Sequence, residues 1–224
     1  GISITAATAT TTLNVSFNTV YLNATSSGAN FSTSALFATT GATATSATLN
    51  SKNNILVNLS TPAGTGITAA YRRSGTDLTN YGAASNNNDL YAGTPSATRL
   101  IFYDGTNSDQ TLAAFKARVA SRDSNSVSEN PNFLSTTGSN ANFLHINPAT
   151  PTQLESGGIP VSGITDDFDA QTRNATNPDI GADEFTGTPI DLSAPSIVYT
   201  ALGNTTITTN RVITATITDL SGVA

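Results

Sequence analysis

Apolar and polar positions alternate in three short segments of this chain, and the segments lie 35 residues apart. Their first apolar positions are Val20, Ile55 and Leu90, and their second are Leu22, Val57 and Ala92. The positions between them are Tyr21, Leu56 and Tyr91. A period of two is typical of a β-strand, and a fixed spacing of this size indicates stacked repeats. We therefore predict one inward column of Val20, Ile55 and Leu90, and one outward column of Tyr21, Leu56 and Tyr91.

A second apolar register follows the first by about half a period. Its segments are Ala35–Phe37, Ala70–Arg72 and Ile101–Tyr103. Asparagines stand just before the first set of segments, at Asn18, at Asn53 or Asn54, and at Asn88. Stacked asparagine amides can bond to one another along a stack, and Asn tolerates the left-handed conformation that a tight bend requires. We expect these asparagines to form a ladder at equivalent bends.

These patterns predict an all-β fold, a right-handed parallel β-helix with one short capping helix. The helix is expected over residues 108–120, because Asn107–Gln110 resembles a capping sequence. Leu112, Phe115 and Val119 then follow at helical spacing. An open end of a β-helix is a sheet edge that must be covered, and this helix would cover it.

We predict that the β-helix and its C-terminal cap occupy residues 1–185, with a linker over 186–195. Ile213, Ala215 and Ile217 alternate with threonines in the last segment, so residues 196–224 are predicted to start an immunoglobulin-like β-sandwich. The chain opens inside a Thr-rich strand pattern and has no Met. We expect it to be an internal part of a longer, processed protein.

Composition narrows the range of partners. Charged residues make up 11% of the chain and the net charge is −6, so electrostatics oppose binding to nucleic acid or to an anionic membrane surface. No apolar run reaches the roughly 18 residues that a membrane span needs. The chain has no Cys, which excludes a disulfide framework.

Three segments resemble secreted, modular β-helix proteins of Bacteroidetes-type bacteria in the pectate-lyase-like superfamily. These segments are Ser46 to Leu59, Leu112 to Phe133, and Asp166 to Phe185. The last is similar to the closing signature D-x-D-x-x-x-R…P-D-I-G-A-D-E, although Ala170 stands where Gly is usual. The matching residues are Asp167, Asp169, Arg173, Pro178, Asp179, Gly181, Ala182, Asp183 and Glu184. Pro195 to Val223 resembles the immunoglobulin-like modules that often follow.

The resemblance implies an extracellular or cell-surface bacterial protein that leaves the cell by the type IX route. It implies architecture more than activity, since such β-helices include enzymes, adhesins and stalks. We expect a non-catalytic structural or adhesive module. Its partners would be other modules of the same polypeptide, surface glycans, or further copies of itself. The alternative is the C-terminal part of a polysaccharide lyase or glycoside hydrolase whose catalytic repeats lie upstream.

Candidate glycan contacts are Tyr21, Tyr91 and Arg72. Tyrosines on an outer face could stack on sugars, or they could be covered by a loop or by the predicted helix. Arg72 and Arg73 could pair with acidic glycans or form a solvated edge with nearby carboxylates. The three repeats contain neither a pair of outward carboxylates nor an Asp cluster with a basic residue, the groups that a hydrolase or a lyase would need.

A candidate metal site lies near the C-terminal end of the predicted cap. Eight of the fifteen acidic residues fall between Glu155 and Asp191. The proposed ligands are Asp166, Asp167, Asp169, Asp183 and Glu184, and the expected ion is Ca²⁺, because hard cations prefer several oxygen ligands. The alternative is an acidic cap whose carboxylates bind turns and pair with Arg173. His145 is the single histidine, and without a motif around it we expect a structural role.

Overall fold

A computed structural model describes residues 1–5, 11–41, 47–192, 194–206 and 208–219. Ser46 and residues 220–223, which carry part of the family resemblance, lie outside these ranges. The chain divides into two compact units, Gly1–Pro189 and Ile190–Ala224. Among the described residues, no helix is both long and apolar enough to cross a bilayer.

The described part of the chain is mostly β, with parallel sheets and a single short helix. The strands of the first unit are β1 (Ile2–Ile4), β2 (Thr12–Ser16), β3 (Thr19–Leu22), β4 (Thr33–Ala38), β5 (Thr48–Lys52), β6 (Ile55–Asn58), β7 (Thr68–Arg73), β8 (Asp89–Tyr91), β9 (Arg99–Tyr103) and β10 (Ser108–Asp109). The helix α1 spans Leu112–Val119. The second unit contains β11 (Ser196–Tyr199) and β12 (Ala215–Thr218).

In three sheets of the first unit, every strand except β10 pairs with the equivalent strand of a neighbouring repeat. Sheet A has the order β1-β4-β7-β9-β10, sheet B is β2-β5, and sheet C is β3-β6-β8. All of these pairings are parallel except β9–β10, which closes the edge of sheet A as an antiparallel pair. The second register is confirmed, since Leu36 pairs with Tyr71 and Tyr71 pairs with Phe102.

The first register is wrong by one residue in the middle repeat. Val20 pairs with Leu56, and Leu56 pairs with Leu90. Ile55 therefore does not stand between Val20 and Leu90. The spacing is 36 residues from Val20 to Leu56 and 34 residues from Leu56 to Leu90. The first and third repeats are therefore still separated by twice 35 residues. Strand β6 is buried at all four positions, which removes the alternation that would have fixed its register.

An inner cluster fills the space between the three sheets. It contains Leu36, Tyr71 and Phe102 from sheet A, Leu49 from sheet B, and Leu56 and Leu90 from sheet C. Phe115 and Val119 of α1 complete the cluster, and the Phe115 ring stacks on Phe102 at 5.2 Å between centroids. The helix thus packs on the inner cluster, as a covering element does.

The start of α1 differs from the prediction. Thr111 is the N-cap, and its side chain accepts a hydrogen bond from the Ala114 amide. Asn107 is the predicted N-cap, but the residues that follow it, Ser108 and Asp109, form β10 instead of the first turn of the helix. Asp109 lies nine residues before Arg118 and binds it through two hydrogen bonds of 2.5 and 2.7 Å.

The predicted asparagine ladder is present, and Asn54 rather than Asn53 belongs to it. The Asn18 side-chain amide donates to Asn54 Oδ1 at 2.9 Å, and the Asn54 amide donates to Asn88 Oδ1 at 3.0 Å. Asn88 in turn donates to Asp123 Oδ1 at 3.0 Å. The ladder therefore extends one step further than predicted and ends on a buried carboxylate.

In the second unit, β11 and β12 form an antiparallel pair. Every residue of both strands is exposed. Among the described residues of the predicted sandwich module, these two strands are the β-structure.

Candidate functional site

The outer face of sheet C carries a second apolar cluster. This outer cluster has Ile55, Val57, Ile146, Leu154 and Ile180 at its buried centre. Residues from 127–189, hereafter the cover segment, supply Ile146, Leu154 and Ile180, together with the flanking Val127, Phe133 and Phe185. The outer face of sheet C is therefore filled by the chain itself.

Two of the candidate glycan contacts, Tyr21 and Tyr91, belong to this outer cluster. Tyr21 pairs with Val57, and Val57 pairs with Tyr91, so the residue between the tyrosines is Val57 and not Leu56. Tyr21 packs edge-on against Phe133 of the cover segment, with 5.7 Å between ring centroids. The two tyrosines are therefore packed against a loop and not against the helix, the other covering element that the sequence allowed.

Arg72 and Arg73 lie on sheet A, on a different sheet from the tyrosines. The Arg72 guanidinium lies 5.7 Å from the centroid of the Tyr103 ring. The solvated-edge interpretation is wrong for Arg73, which is 1% exposed. Its partners are the Tyr71 hydroxyl, the Asn80 side-chain oxygen and the Asp77 carbonyl. Burial raises the pKa of Tyr71 to about 12, so this hydroxyl stays neutral beside the cation.

Pairs of asparagines at the second and third bends connect the sheets to the cover segment. Asn53 and Asn87 adopt left-handed φ values of 54° and 56°, directly before the ladder residues Asn54 and Asn88. The Asn53 side chain donates to the Ile159 carbonyl at 2.7 Å and accepts from the Ile159 amide at 3.1 Å. Asn87 donates to the Gly157 carbonyl at 2.9 Å. In each pair, the ladder residue forms hydrogen bonds inside the stack, and the residue before it forms hydrogen bonds to the cover segment.

The closing P-D-I-G-A-D-E residues dock on sheet C. The Gly181 amide donates to the Asn53 carbonyl and the Ala182 amide to the Thr19 hydroxyl, each at 2.9 Å. Gly181 has a φ of 109°, and a Cβ there would lie 2.5 Å from the Ile55 side chain. Glycine is required at this position on both grounds.

Asp179 holds two turns of the cover segment together. Its carboxylate accepts the Ser156 amide at 2.6 Å and the Phe185 amide at 2.8 Å. Burial raises the pKa of Asp179 to about 7, and the charges of Glu184 and Glu155 add to the rise, although the two amide donors oppose it.

The five predicted cation ligands do not converge on one point. Asp167 accepts the backbone amides of Asp169, Gln171 and Glu184. Glu184 pairs with Arg173 at 3.2 Å and accepts two further backbone amides. Asp166 is exposed. Two of the five carboxylates are therefore occupied by turns and an arginine, as the acidic-cap alternative expects.

The remaining two, Asp169 and Asp183, meet at His145. Asp169 Oδ2 lies 3.1 Å from His145 Nε2, and Asp183 Oδ1 lies 3.6 Å from His145 Nδ1. These side chains line a cleft of about 180 Å³ that also includes Phe143, Phe168 and Thr19. Among the described residues, this is the one group of three His, Cys, Asp or Glu side chains arranged so that a single ion could reach all of them.

Sequence reasoning missed the part played by His145. Its partners lie 24 and 38 residues further along the chain, at Asp169 and Asp183, in a region without a repeat. The spacing of the acidic residues alone could not show which of them face the histidine.

Comparison with protein-family models, with curated proteins and with solved structures finds no match to this chain.

Proposed function

We propose that residues 1–189 form a right-handed parallel β-helix module with a structural or adhesive role on the outside of a bacterial cell, followed by the start of an immunoglobulin-like module. Parallel pairing between successive repeats supports the β-helix. Strands that pair in parallel are joined by right-handed crossovers in about 98% of cases, which favours the right-handed form.

The main support for a non-catalytic role is that the cover segment packs on the outer face of sheet C. A polysaccharide enzyme built on stacked strands needs an open face with carboxylates in reach of the substrate. Here that face packs against Phe133, Ile146, Leu154 and Ile180 of the cover segment. Its tyrosines are partly buried and pack against this cluster, and aromatic packing of this kind stabilises a module.

The ladder and the bend asparagines support a structural role. In a repeat array, stability is close to a sum of contributions from repeats and from the interfaces between them. Buried Asn54 adds side-chain hydrogen bonds to both of its neighbours, Asn18 and Asn88. A low charge content and a sequence rich in Thr and Asn suit an extracellular module.

The experiment that tests this proposal is an assay for polysaccharide cleavage. The 224-residue chain and the product of the complete open reading frame are each incubated with uronate-containing and neutral polysaccharides. Release of unsaturated or reducing ends is then measured. We expect no product from either protein.

Product formed by the longer protein alone would favour the alternative, a lyase or hydrolase with catalytic repeats upstream. Product formed by the 224-residue chain itself would contradict the proposal directly. Replacing Tyr21, Tyr91 or Arg72 by Ala would then show whether these residues contact the glycan.

A further inference from the structure

The group His145, Asp169 and Asp183 joins three separate parts of the cover segment. The donor atoms of the three side chains, one from each, all lie within 4.8 Å of one another. The separation of 3.1 Å between His145 Nε2 and Asp169 Oδ2 is close to the spacing of two ligands around one ion with bonds of about 2.0–2.1 Å. The group therefore has dimensions that one small cation can bridge.

Asp183 is a buried carboxylate that is directed into the cleft. Only 9% of its side chain is exposed. Oδ2 accepts the Ile146 amide at 2.9 Å, whereas Oδ1 faces His145 at 3.6 Å, beyond hydrogen-bond range. The imidazole is the partner of Oδ1 among the described residues, and an ion bound at His145 would replace this contact.

The backbone holds the other two ligands in place. The His145 carbonyl accepts the Leu134 amide, and the preceding Leu144 amide donates to the Ser135 carbonyl, each at 2.8 Å. The Asp169 amide donates to Asp167 Oδ1 at 2.9 Å. Asp167 thus positions the ligand-bearing turn without being a ligand. The Asp169 side chain is 37% exposed, so it can adjust to close on an ion.

We propose that His145, Asp169 and Asp183 bind a divalent transition-metal ion, for which Zn²⁺ is the probe. One imidazole nitrogen with two carboxylate oxygens is a donor set that zinc accepts, and a fourth position can remain open to water. The two carboxylates balance the charge of the ion. The cleft leaves room for that water beside Phe143 and Phe168.

The acidic residues alone suggested Ca²⁺, but the imidazole of His145 favours a transition-metal ion. Ca²⁺ prefers six to eight oxygen ligands, and this group offers two carboxylates and a nitrogen. Imidazole favours Zn²⁺, Cu²⁺, Ni²⁺ and Fe²⁺ over Ca²⁺. The bound ion would tie the turn at Asp169 to the strand-like segment around Ile146, and so would stabilise the cover.

Titration calorimetry of the whole chain with Zn²⁺, and separately with Ca²⁺, tests this site. We expect one Zn²⁺ per chain, a melting temperature that rises with Zn²⁺ and returns on chelation, and no comparable effect of Ca²⁺. Co²⁺ in place of Zn²⁺ should show the visible absorption of a four-coordinate ion. The variants His145→Gln and Asp169→Asn should bind Zn²⁺ at least about tenfold more weakly.

Asp166→Asn is the matched control, because it removes one carboxylate from the same segment but not from the cleft. It should bind Zn²⁺ as the unmodified chain does. Asp169 is a better test than Asp183, since its exposed side chain can be changed without removing the Ile146 contact; circular dichroism checks that each variant is folded. Absence of saturable Zn²⁺ binding, or equal binding by folded His145→Gln, would overturn the proposal.

Discussion

At the residue scale, the buried ladder residue Asn54 makes five side-chain hydrogen bonds. Its oxygen accepts from the Asn18 backbone and side chain, and its amide donates to Val15, Ser51 and Asn88. Removing one buried partner leaves several groups unsatisfied at once, which is more damaging than the loss of one exposed bond.

Asn54→Ala should therefore lower the free energy of unfolding by about 2–4 kcal/mol, measured by urea denaturation. The matched control is Asn14→Ala. Asn14 is exposed and accepts a single bond from Asn50 in the neighbouring repeat, so its replacement should change stability by no more than about 0.5 kcal/mol. Equal effects of the two substitutions would show that burial of the ladder contributes nothing.

The raised pKa of Asp179 leads to a second prediction at this scale, which concerns how the free energy of unfolding depends on pH. Its pKa is raised from 3.8 to about 7 in the folded chain, so the folded state binds more protons than the unfolded state between these values. Stability then falls as pH rises through this window. Burial raises the pKa values of Asp89, Asp123 and Asp183 as well, and these act in the same direction. The lowered pKa values of Asp77 and Asp104 act only below this window.

The melting temperature should accordingly be higher at pH 5 than at pH 8. Asp179→Asn cannot ionise, so its profile between these pH values should be flatter than that of the unmodified chain. A melting temperature that climbs steadily from pH 5 to pH 8 would contradict the assignment of these buried carboxyls.

At the element scale, α1 is held by its buried face more than by its N-terminal cap. Phe115 is fully buried and contacts both Phe102 and Tyr71, with ring centroids 5.2 and 6.2 Å away. The Thr111 hydroxyl accepts one hydrogen bond, of 3.3 Å, from the Ala114 amide. In a helix this short, packing of one face supplies most of the stability.

Phe115→Ala should destabilise the chain by about 3–5 kcal/mol, because it leaves a cavity in the inner cluster. Thr111→Ala should cost about 1 kcal/mol, the usual effect of losing an N-cap. Chemical denaturation of both variants measures the difference. If Thr111→Ala were the more damaging change, α1 would not be packed as described.

Elements with clear alternation or spacing could be predicted from the sequence, and the others could not. The sheet A register, the asparagine ladder and the buried face of α1 all followed from periodic positions. Strand β6 did not, because Ile55, Leu56 and Val57 are apolar in succession and both of its faces are buried. Apolar residues in succession leave the inward set undetermined.

The capping sequence was misplaced for a related reason. Asn107 and Thr111 are both suitable N-cap residues. Pairing of Ser108 and Asp109 with Tyr103 and Phe102 places the residues after Asn107 in sheet A, so the helix begins only after Thr111. The cleft at His145 lay beyond prediction, since the loops that bring its residues together have no period.

At the scale of the first unit, the strands stack in parallel with a spacing that changes from repeat to repeat. Each repeat contacts the next through sheets A, B and C, the inner cluster and the ladder. The cover segment then closes the outer face of sheet C. The proposed structural role and the proposed metal site both depend on this arrangement.

Disulfide formation between engineered cysteines tests the stacking most directly, because the chain has no cysteine of its own. Asn14 and Asn50 are direct partners on β2 and β5, and neighbouring strands bring paired residues within the Cα separation that a disulfide needs, about 4.4–6.8 Å. Asn14→Cys with Asn50→Cys should therefore cross-link rapidly under mild oxidation. Asn14→Cys with Lys52→Cys should cross-link slowly, because Lys52 pairs with Ser16 instead. Equal rates for the two pairs, or faster cross-linking to position 52, would contradict the parallel stack.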